Sequence, residues 1–233
     1  METSIVIPAH NEQDNLPKLL DGILKLKGSL GSFETILVDD NSADKTKEIA
    51  ERYAKKYGSI KVVHRCKGNN GVGAALKEGT NIAKGSFVVW VMGDNSDDLA
   101  TIPQLIMQLR NSADIVFGSR YIKGGSSSNL DAYKAMLSKN YTRIIQILFG
   151  IKVHDITNAF RAFKKEIYNR IRLESDDFAI SPEFAIKAHI KGFKLKEVPT
   201  IYKDRQAGKP KFKILKMGIT YCKLFKYRLM PYR

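Results

Sequence analysis

Short runs of β-branched and aliphatic residues recur along this chain, and each stops abruptly at polar, turn-forming residues. Such runs fall at Ser4–Pro8, Glu34–Asp39, Ile60–His64, Ser86–Met92, Asp114–Gly118 and Leu195–Thr200. Their length and near-continuous apolar character fit strands buried on both faces. Between them, apolar residues three and four apart predict helices over Glu12–Lys27, Ala43–Tyr57, Val72–Lys84 and Thr101–Asn111. Ser42 precedes the second as an expected N-cap, and Pro103 sits in a first helical turn, where its missing N–H does no harm. Regular alternation of strand and helix predicts an α/β fold, a mostly parallel Rossmann-like sheet with helices on both faces.

The pattern changes after Gly118. A Gly- and Ser-rich loop, Gly124 to Asn129, leads into a helical stretch from Asp131 to Phe149. From Lys211 to Met230 the residues Ile214, Met217, Tyr221, Leu224, Phe225 and Leu229 share one helical face, with Lys213, Lys216, Lys223 and Lys226 on the other. Two units are therefore expected: an α/β domain over 1–210 and a basic amphipathic helix over 211–233. Such a helix suits a membrane interface, a partner, or a seat on its own domain.

Composition adds charge to this picture. The 233 residues carry 39 Lys and Arg against 24 Asp and Glu, a net charge of +15. The stretch from Lys187 to Arg233 supplies +12 of it, with Glu197 and Asp204 as its only acids. A basic surface of this kind attracts polyanions: nucleic acid, anionic lipid or a phosphorylated substrate. Cys66 and Cys222 are far apart and form no Cys-x-x-Cys pair, so neither a disulfide framework nor a zinc site is expected. No apolar run approaches the roughly 18 residues needed to span a bilayer, and Met1 leads at once into a strand rather than a leader. A cytoplasmic protein, peripheral on the cytoplasmic face of a membrane, is expected.

Candidate chemistry gathers at the strand ends. The first strand runs into Pro8-Ala9-His10-Asn11-Glu12 and the second into Asp39-Asp40-Asn41-Ser42. In open α/β sheets, ligands bind at such carboxyl ends. A carboxylate there suits a base that offers an N–H, uracil or guanine, and Asp40 is the expected contact with Asp39 beside it. Asn69-Asn70-Gly71-Val72-Gly73 opens a helix with small residues, so backbone N–H groups can approach a ligand closely; Leu76 in place of a third glycine rules out the dinucleotide fingerprint. The fourth strand delivers Gly93-Asp94-Asn95-Ser96-Asp97-Asp98, an acidic cluster suited to a hard cation, although Asp97 and Asp98 equally suit the start of the next helix.

Together these motifs resemble glycosyltransferase family 2, whose donor domain has the GT-A fold. Phe117-Gly118-Ser119-Arg120, Asp155-Ile156-Thr157-Asn158-Ala159-Phe160-Arg161, Glu197-Val198-Pro199 and Asp204-Arg205-Gln206-Ala207-Gly208-Lys209-Pro210-Lys211 narrow the resemblance to polyprenyl-phosphate glycosyltransferases of the dolichol-phosphate mannosyltransferase type. It runs from about Ser4 to Lys211. The resemblance implies a nucleotide-sugar site at Pro8, Ala9, His10, Glu12, Asp39, Asp40, Asn70, Gly71, Gly93 and Asp94. It implies Mg²⁺ or Mn²⁺ on the donor diphosphate, with Asp94 as a ligand and Ser96 as a second oxygen. Met92 stands where the family's Asp-x-Asp pair has its first aspartate, so weak metal dependence is expected.

Arg120 and Arg205 correspond to phosphate-contacting arginines, and Lys211 to the lysine of a Gly-x-Ser-Lys ending in which Pro210 replaces the serine. These three, with Asp94, are the expected catalytic group. Asp155 and Thr157 are read as orienting the acceptor loop or, in preference, supporting the strand beneath it, and Glu183 as a residue that positions the sugar or binds a cation. The implied reaction is inverting transfer of one sugar from a GDP- or UDP-sugar to a polyprenyl phosphate at an anionic membrane surface or beside a membrane-protein partner. A glycan or protein hydroxyl is the alternative acceptor. A nucleic-acid-binding protein is the alternative class, disfavoured because the basic residues lack interleaved aromatics and no recognition-helix or zinc-finger spacing occurs.

Overall fold

The computed structural model describes residues 1–65, 71–128, 130–203 and 214–229. The chain opens with β1 (Thr3–Ala9), α1 (Leu16–Leu24), the single turn α2 (Lys27–Leu30), β2 (Phe33–Asp39), α3 (Thr46–Lys56), β3 (Ile60–His64), α4 (Val72–Ile82) and β4 (Phe87–Trp90). It continues with α5 (Ile102–Asn111), β5 (Ile115–Ser119), α6 (Ala132–Phe149), β6 (Arg161–Lys164), α7 (Lys165–Asn169), α8 (Ile180–Ile190), β7 (Leu195–Pro199), α9 (Ile214–Lys223) and α10 (Lys226–Leu229). The seven strands form one sheet in the order β3-β2-β1-β4-β6-β5-β7. All neighbours are parallel except β6, which runs antiparallel to both β4 and β5.

Side chains alternate between two cores, as the twofold period of a strand requires. Val6, Ile36, Val38, Val88 and Trp90 face one side, where α4, α6, α8 and α9 pack. Ile5, Ile7, Leu37, Val89 and Val91 face the other, under α1, α3 and α5. Trp90 anchors the first core, meeting Phe163 edge-on at 5.1 Å and donating its indole N–H to Thr80 Oγ1 at 2.9 Å.

Several boundaries differ from the sequence expectation. α3 begins at Thr46 and not at Ala43, so Ser42 is not its cap; Ser42 Oγ accepts the Asn11 N–H at 2.9 Å across the two strand-end loops. β6 and α8 were not anticipated. β6 is four residues long and begins with a charged side chain, while α8 buries nine of its eleven positions and so has no polar face to give a period. α6 starts and stops where its pattern predicts: Asp131 accepts the Lys134 N–H at 3.0 Å, and Gly150 ends the helix at φ 74°.

The amphipathic tail packs on the domain over its described residues. Met217, Tyr221, Leu224 and Tyr227 are buried in the first core, and Tyr141 of α6 lies 4.6 Å from the Tyr221 ring. A break after Lys223 separates α10 from α9 and leaves Leu229 86% exposed, off the shared face. Of the three seats the sequence left open for this face, Met217, Tyr221 and Leu224 take the one on the protein's own domain.

α4 lies close on the sheet because Gly79 has no side chain. A Cβ there would stand 2.5 Å from Val6 Cγ1 and 2.9 Å from Val38 Cγ2. Gly79→Ala is expected to destabilise the fold by about 1–3 kcal/mol in urea unfolding, the cost of overpacking. An exposed helical glycine would instead gain up to about 1 kcal/mol.

Candidate active site

β1, β2 and β4 lie side by side, and each ends in a turn with an asparagine at positive φ: Asn11 at 55°, Asn41 at 57° and Asn95 at 58°. Asparagine tolerates this region because its short polar side chain bonds locally. The first two ends are laced together. Asn11 Oδ1 accepts from the Ala43 N–H at 2.7 Å, His10 Nδ1 meets the Asp40 carbonyl at 2.8 Å, and the Glu12 N–H donates to Thr46 Oγ1 at 2.8 Å. Glu12 itself is buried and accepts from Asn15 Nδ2 at 2.7 Å. Pro8 and Ala9 are buried within β1, so they form floor. Gly93 completes this ledge, since a Cβ there would sit 2.6 Å from the Pro8 carbonyl oxygen.

Asp40 is buried and both its oxygens are engaged. Oδ2 accepts the Gly71 N–H at 2.7 Å, and Oδ1 takes Nη1 of Arg65, whose Nε reaches Glu78 at 2.9 Å. Each carboxylate oxygen has a second lone pair, so a base N–H remains acceptable there. Arg65 had no sequence signal beyond its place after β3. Asp39 is held by the Ser42 N–H and by His64 Nδ1, both at 3.2 Å. The glycines opening α4 admit the chain's own backbone: a Cβ on Gly71 would stand 2.2 Å from the Asp176 carbonyl oxygen, and that carbonyl accepts the Ala74 N–H at 3.1 Å.

The acidic cluster after β4 is sorted by its surroundings. Asp94 is half-buried and accepts the Ser96 N–H at 3.1 Å, while Ser96 is itself buried. Asp97 turns inward and accepts the Met92 N–H at 2.8 Å; burial pushes its carboxyl up to about 7. Asp98 pairs with Lys203 at 2.9 Å. Among the described residues no three His, Cys, Asp or Glu side chains gather as a metal site. That donor set still fits Mg²⁺ or Mn²⁺, because such ions are commonly held by one or two carboxylates together with substrate phosphates.

Arg120 leaves the end of β5 and forks onto Asp155, Nε to Oδ2 at 2.7 Å and Nη2 to Oδ1 at 2.8 Å, with Thr157 Oγ1 at 3.3 Å. Burial works against its charge, and Asp155 more than offsets this, holding the guanidinium above the ordinary arginine value. Asp155 and Thr157 thus support Arg120. Arg161 is wholly buried, donates to the carbonyls of Ala159, Ile156, Asn158 and Ser181, and stacks on Phe117; burial pulls it down to about 9. Glu183 binds a cation, as one of its two readings has it: Lys187 lies 2.5 Å away, and its oxygens accept the Glu174 and Ser175 N–H groups at 2.8 Å.

The structure thus gathers Pro8, Ala9, His10, Glu12, Asp39, Asp40, Gly71, Gly93, Asp94 and Ser96 along the carboxyl ends of adjacent strands and the loops that follow them. Arg120 follows the end of β5, its side chain 9% exposed and turned onto Asp155. Asn70, Arg205 and Lys211 lie outside the described residues.

Carboxylates on the turns after β2 and β4, either side of the β1 end, stand at the carboxyl ends of parallel strands, where open α/β sheets take their ligands. The family model for glycosyl transferase family 2 matches residues 4–172, and the chain belongs to that family. It is 34% identical over 216 residues to a dolichol-phosphate mannosyltransferase of Pyrococcus furiosus, covering 91% of this chain and 60% of that protein. It is 29% identical to a polyprenol monophosphomannose synthase of Mycolicibacterium smegmatis, covering 93% and 87%. Among solved structures it resembles glucosyl-3-phosphoglycerate synthase of Mycobacterium tuberculosis with Mn²⁺, UDP and glucosyl-3-phosphoglycerate (TM-score 0.70, 16% identity, 98% of this chain and 78% of that one). It also resembles S. aureus TarS with UDP-GlcNAc (0.66, 17%, 99% and 67%). These structures share the GT-A fold with this chain.

Two outcomes test the electrostatics. A raised carboxyl pKa means that the folded state binds more protons than the unfolded state between about 4 and 7, so Asp97 lowers stability as pH rises through that window. Asp97→Asn removes this dependence: its stability relative to the parent, read by urea unfolding, is expected to be higher at pH 8 than at pH 5 by on the order of 2 kcal/mol. Equal differences at the two pH values would contradict the assignment. Asp155→Ala strands the Arg120 charge and is expected to cost about 3–5 kcal/mol, part of it regained when Arg120 is also replaced by Ala.

Proposed function

We propose that this protein transfers one sugar from a nucleoside diphosphate sugar to a polyprenyl phosphate, with inversion at the anomeric carbon. The observation that carries the reading is the placement of half-buried Asp94 at the end of β4, beside the ledge made by the ends of β1 and β2. Membership of the family and the names of the two curated relatives support the lipid phosphate as acceptor. Because those relatives are named for mannose, it is the first sugar to test.

Asp40, oriented by Arg65 and the Gly71 N–H, accepts from the ring N–H of uracil or guanine. Asp94, with Ser96 as a second oxygen, would hold Mg²⁺ or Mn²⁺, and the ion when bound would neutralise charge developing on a leaving diphosphate. Ser96 fixes the Asp94 carboxylate through its N–H. Arg120 is already neutralised by Asp155, so it offers directed N–H donors more than net charge. Arg205 and Lys211 supply the remaining cations. A phosphate oxygen of the acceptor forms the new bond to the anomeric carbon as the carbon–oxygen bond to the nucleoside diphosphate breaks. The acceptor is already anionic, so no general base is required. Glu183, spent on Lys187, has no part in proton transfer.

The chain is expected to work at an anionic membrane surface, alone or with a membrane-protein partner; no helix among the described residues is long and apolar enough to cross a membrane. GDP- and UDP-sugars incubated with a short polyprenyl phosphate and Mn²⁺ or Mg²⁺, scored by product mass, test the reading. One nucleotide sugar is expected to give a lipid-linked monosaccharide. Asp94→Asn is expected to lower kcat/KM at least about 100-fold, the usual scale for losing transition-state charge stabilisation. Transfer only to glycan or protein hydroxyls would contradict the proposal.

A further inference from the structure

α6 turns an unusual face to solvent. Its exposed positions include Tyr133 (54%), Met136 (48%), Ile144 (45%), Ile147 (76%) and Leu148 (38%), while the side packed on the protein buries only Ala135, Thr142 and Ile145. These large apolar residues, with Asn140 among them, recur three and four apart and so form one stripe along the helix. Scattered exposed apolar residues are normal, but a contiguous stripe marks an interaction surface.

The charge around the stripe indicates what covers it. Lys139 and Arg143 are exposed along one edge, and residues 132–154 contain four Lys and Arg and no Asp or Glu. A second copy docked symmetrically would bring the same basic edge from both subunits into one interface, with no acid in the helix to meet it, because both subunits of a twofold dimer use the same patch. An anionic bilayer satisfies both features, taking the apolar side chains below its head groups and the cations among them. A cavity of about 490 Å³ lies against the same helix, lined by Ser127, Ser128, Leu130, Met136, Lys139 and Asn140. Met136 and Lys139 belong to both cavity and stripe.

We propose that α6, and not the C-terminal amphipathic helix, is the surface by which this domain lies on an anionic membrane. The C-terminal helix has given its apolar face to the core, whereas α6 has kept its own outward. The inference deepens the lipid-phosphate reading and rests on it for its purpose.

The test is co-sedimentation of the full chain with phosphatidylcholine–phosphatidylglycerol vesicles, with neither donor nor acceptor present. Ile144→Glu combined with Ile147→Glu is expected to lower partitioning at least about tenfold. Lys139→Ala with Arg143→Ala is expected to lower it roughly tenfold on these vesicles and little on pure phosphatidylcholine. Ile219→Glu with Leu229→Glu is expected to leave it within about twofold. A dye on Ile147→Cys, with Cys66 and Cys222 replaced by Ser, should shift to the blue when vesicles are added, and the same dye on Ile219→Cys should not; this reading survives if the glutamate variants fail to fold.

No binding by the parent chain, equal binding by the Ile144/Ile147 variant, or loss confined to the Ile219/Leu229 variant overturns the proposal. So does a lipid-free dimer in sedimentation equilibrium that Ile147→Glu dissociates. Sugar transfer to a water-soluble short-chain polyprenyl phosphate without vesicles is expected to be unchanged by the α6 variants. Its absence in the parent would count against the catalytic reading alone.

Discussion

A carboxylate buried at the end of a sheet must be given a cation or a backbone donor, and the whole crevice is organised by how that demand is met. Asp40 has Arg65 and the Gly71 N–H, Asp97 has the Met92 N–H, Asp155 has Arg120, and Glu183 has Lys187. Two of these pairings, those of Asp40 and Asp155, also tie segments distant in sequence. Arg65 joins β3 to the end of β2 and, through Glu78, to α4; Arg120 joins β5 to the segment before β6. Asp94 differs from these four in reaching solvent while its carboxylate accepts a neighbouring N–H.

The same pairings stiffen the ledge on which a ligand would rest. His10, Asn11 and Glu12 are bonded to the loop after β2, and Gly93 lets the loop after β4 touch Pro8. Three strand ends therefore behave as one surface, and preorganisation of this kind lets fixed groups act on developing charge without rearrangement. Behind it, Arg161 pulls four carbonyls inward and fixes the segment that carries Asp155 and Thr157.

Much of the fold was legible because buried parallel strands announce themselves as apolar runs and their ends as polar turns. The six anticipated strands, the helices between them and the span of α6 all rest on local signals. β6 was not legible, since a four-residue strand led by Arg161 has no apolar run, and α8 was not, since a helix buried all round has no period. The start of α3 moved to Thr46 because Ser42 is claimed by a bond to Asn11, which no local pattern contains. At the site, the residue types and their strand ends could be read, but the partners could not. Arg65 on Asp40 and Asp155 under Arg120 are contacts between positions 25 and 35 residues apart. For the tail, the sequence showed an apolar face and left open what would cover it; the aromatic contact of Tyr141 with Tyr221 supplies the answer.

Calorimetric titration of UDP and of GDP, each with and without Mn²⁺, tests the central claim that Asp94 and a diphosphate hold one cation between them. The account predicts that one of the two nucleotides binds, more tightly with Mn²⁺, and that Asp94→Asn erases the gain from the metal while leaving metal-free binding in place. Binding of neither nucleotide, or an undiminished response to Mn²⁺ in Asp94→Asn, would contradict it.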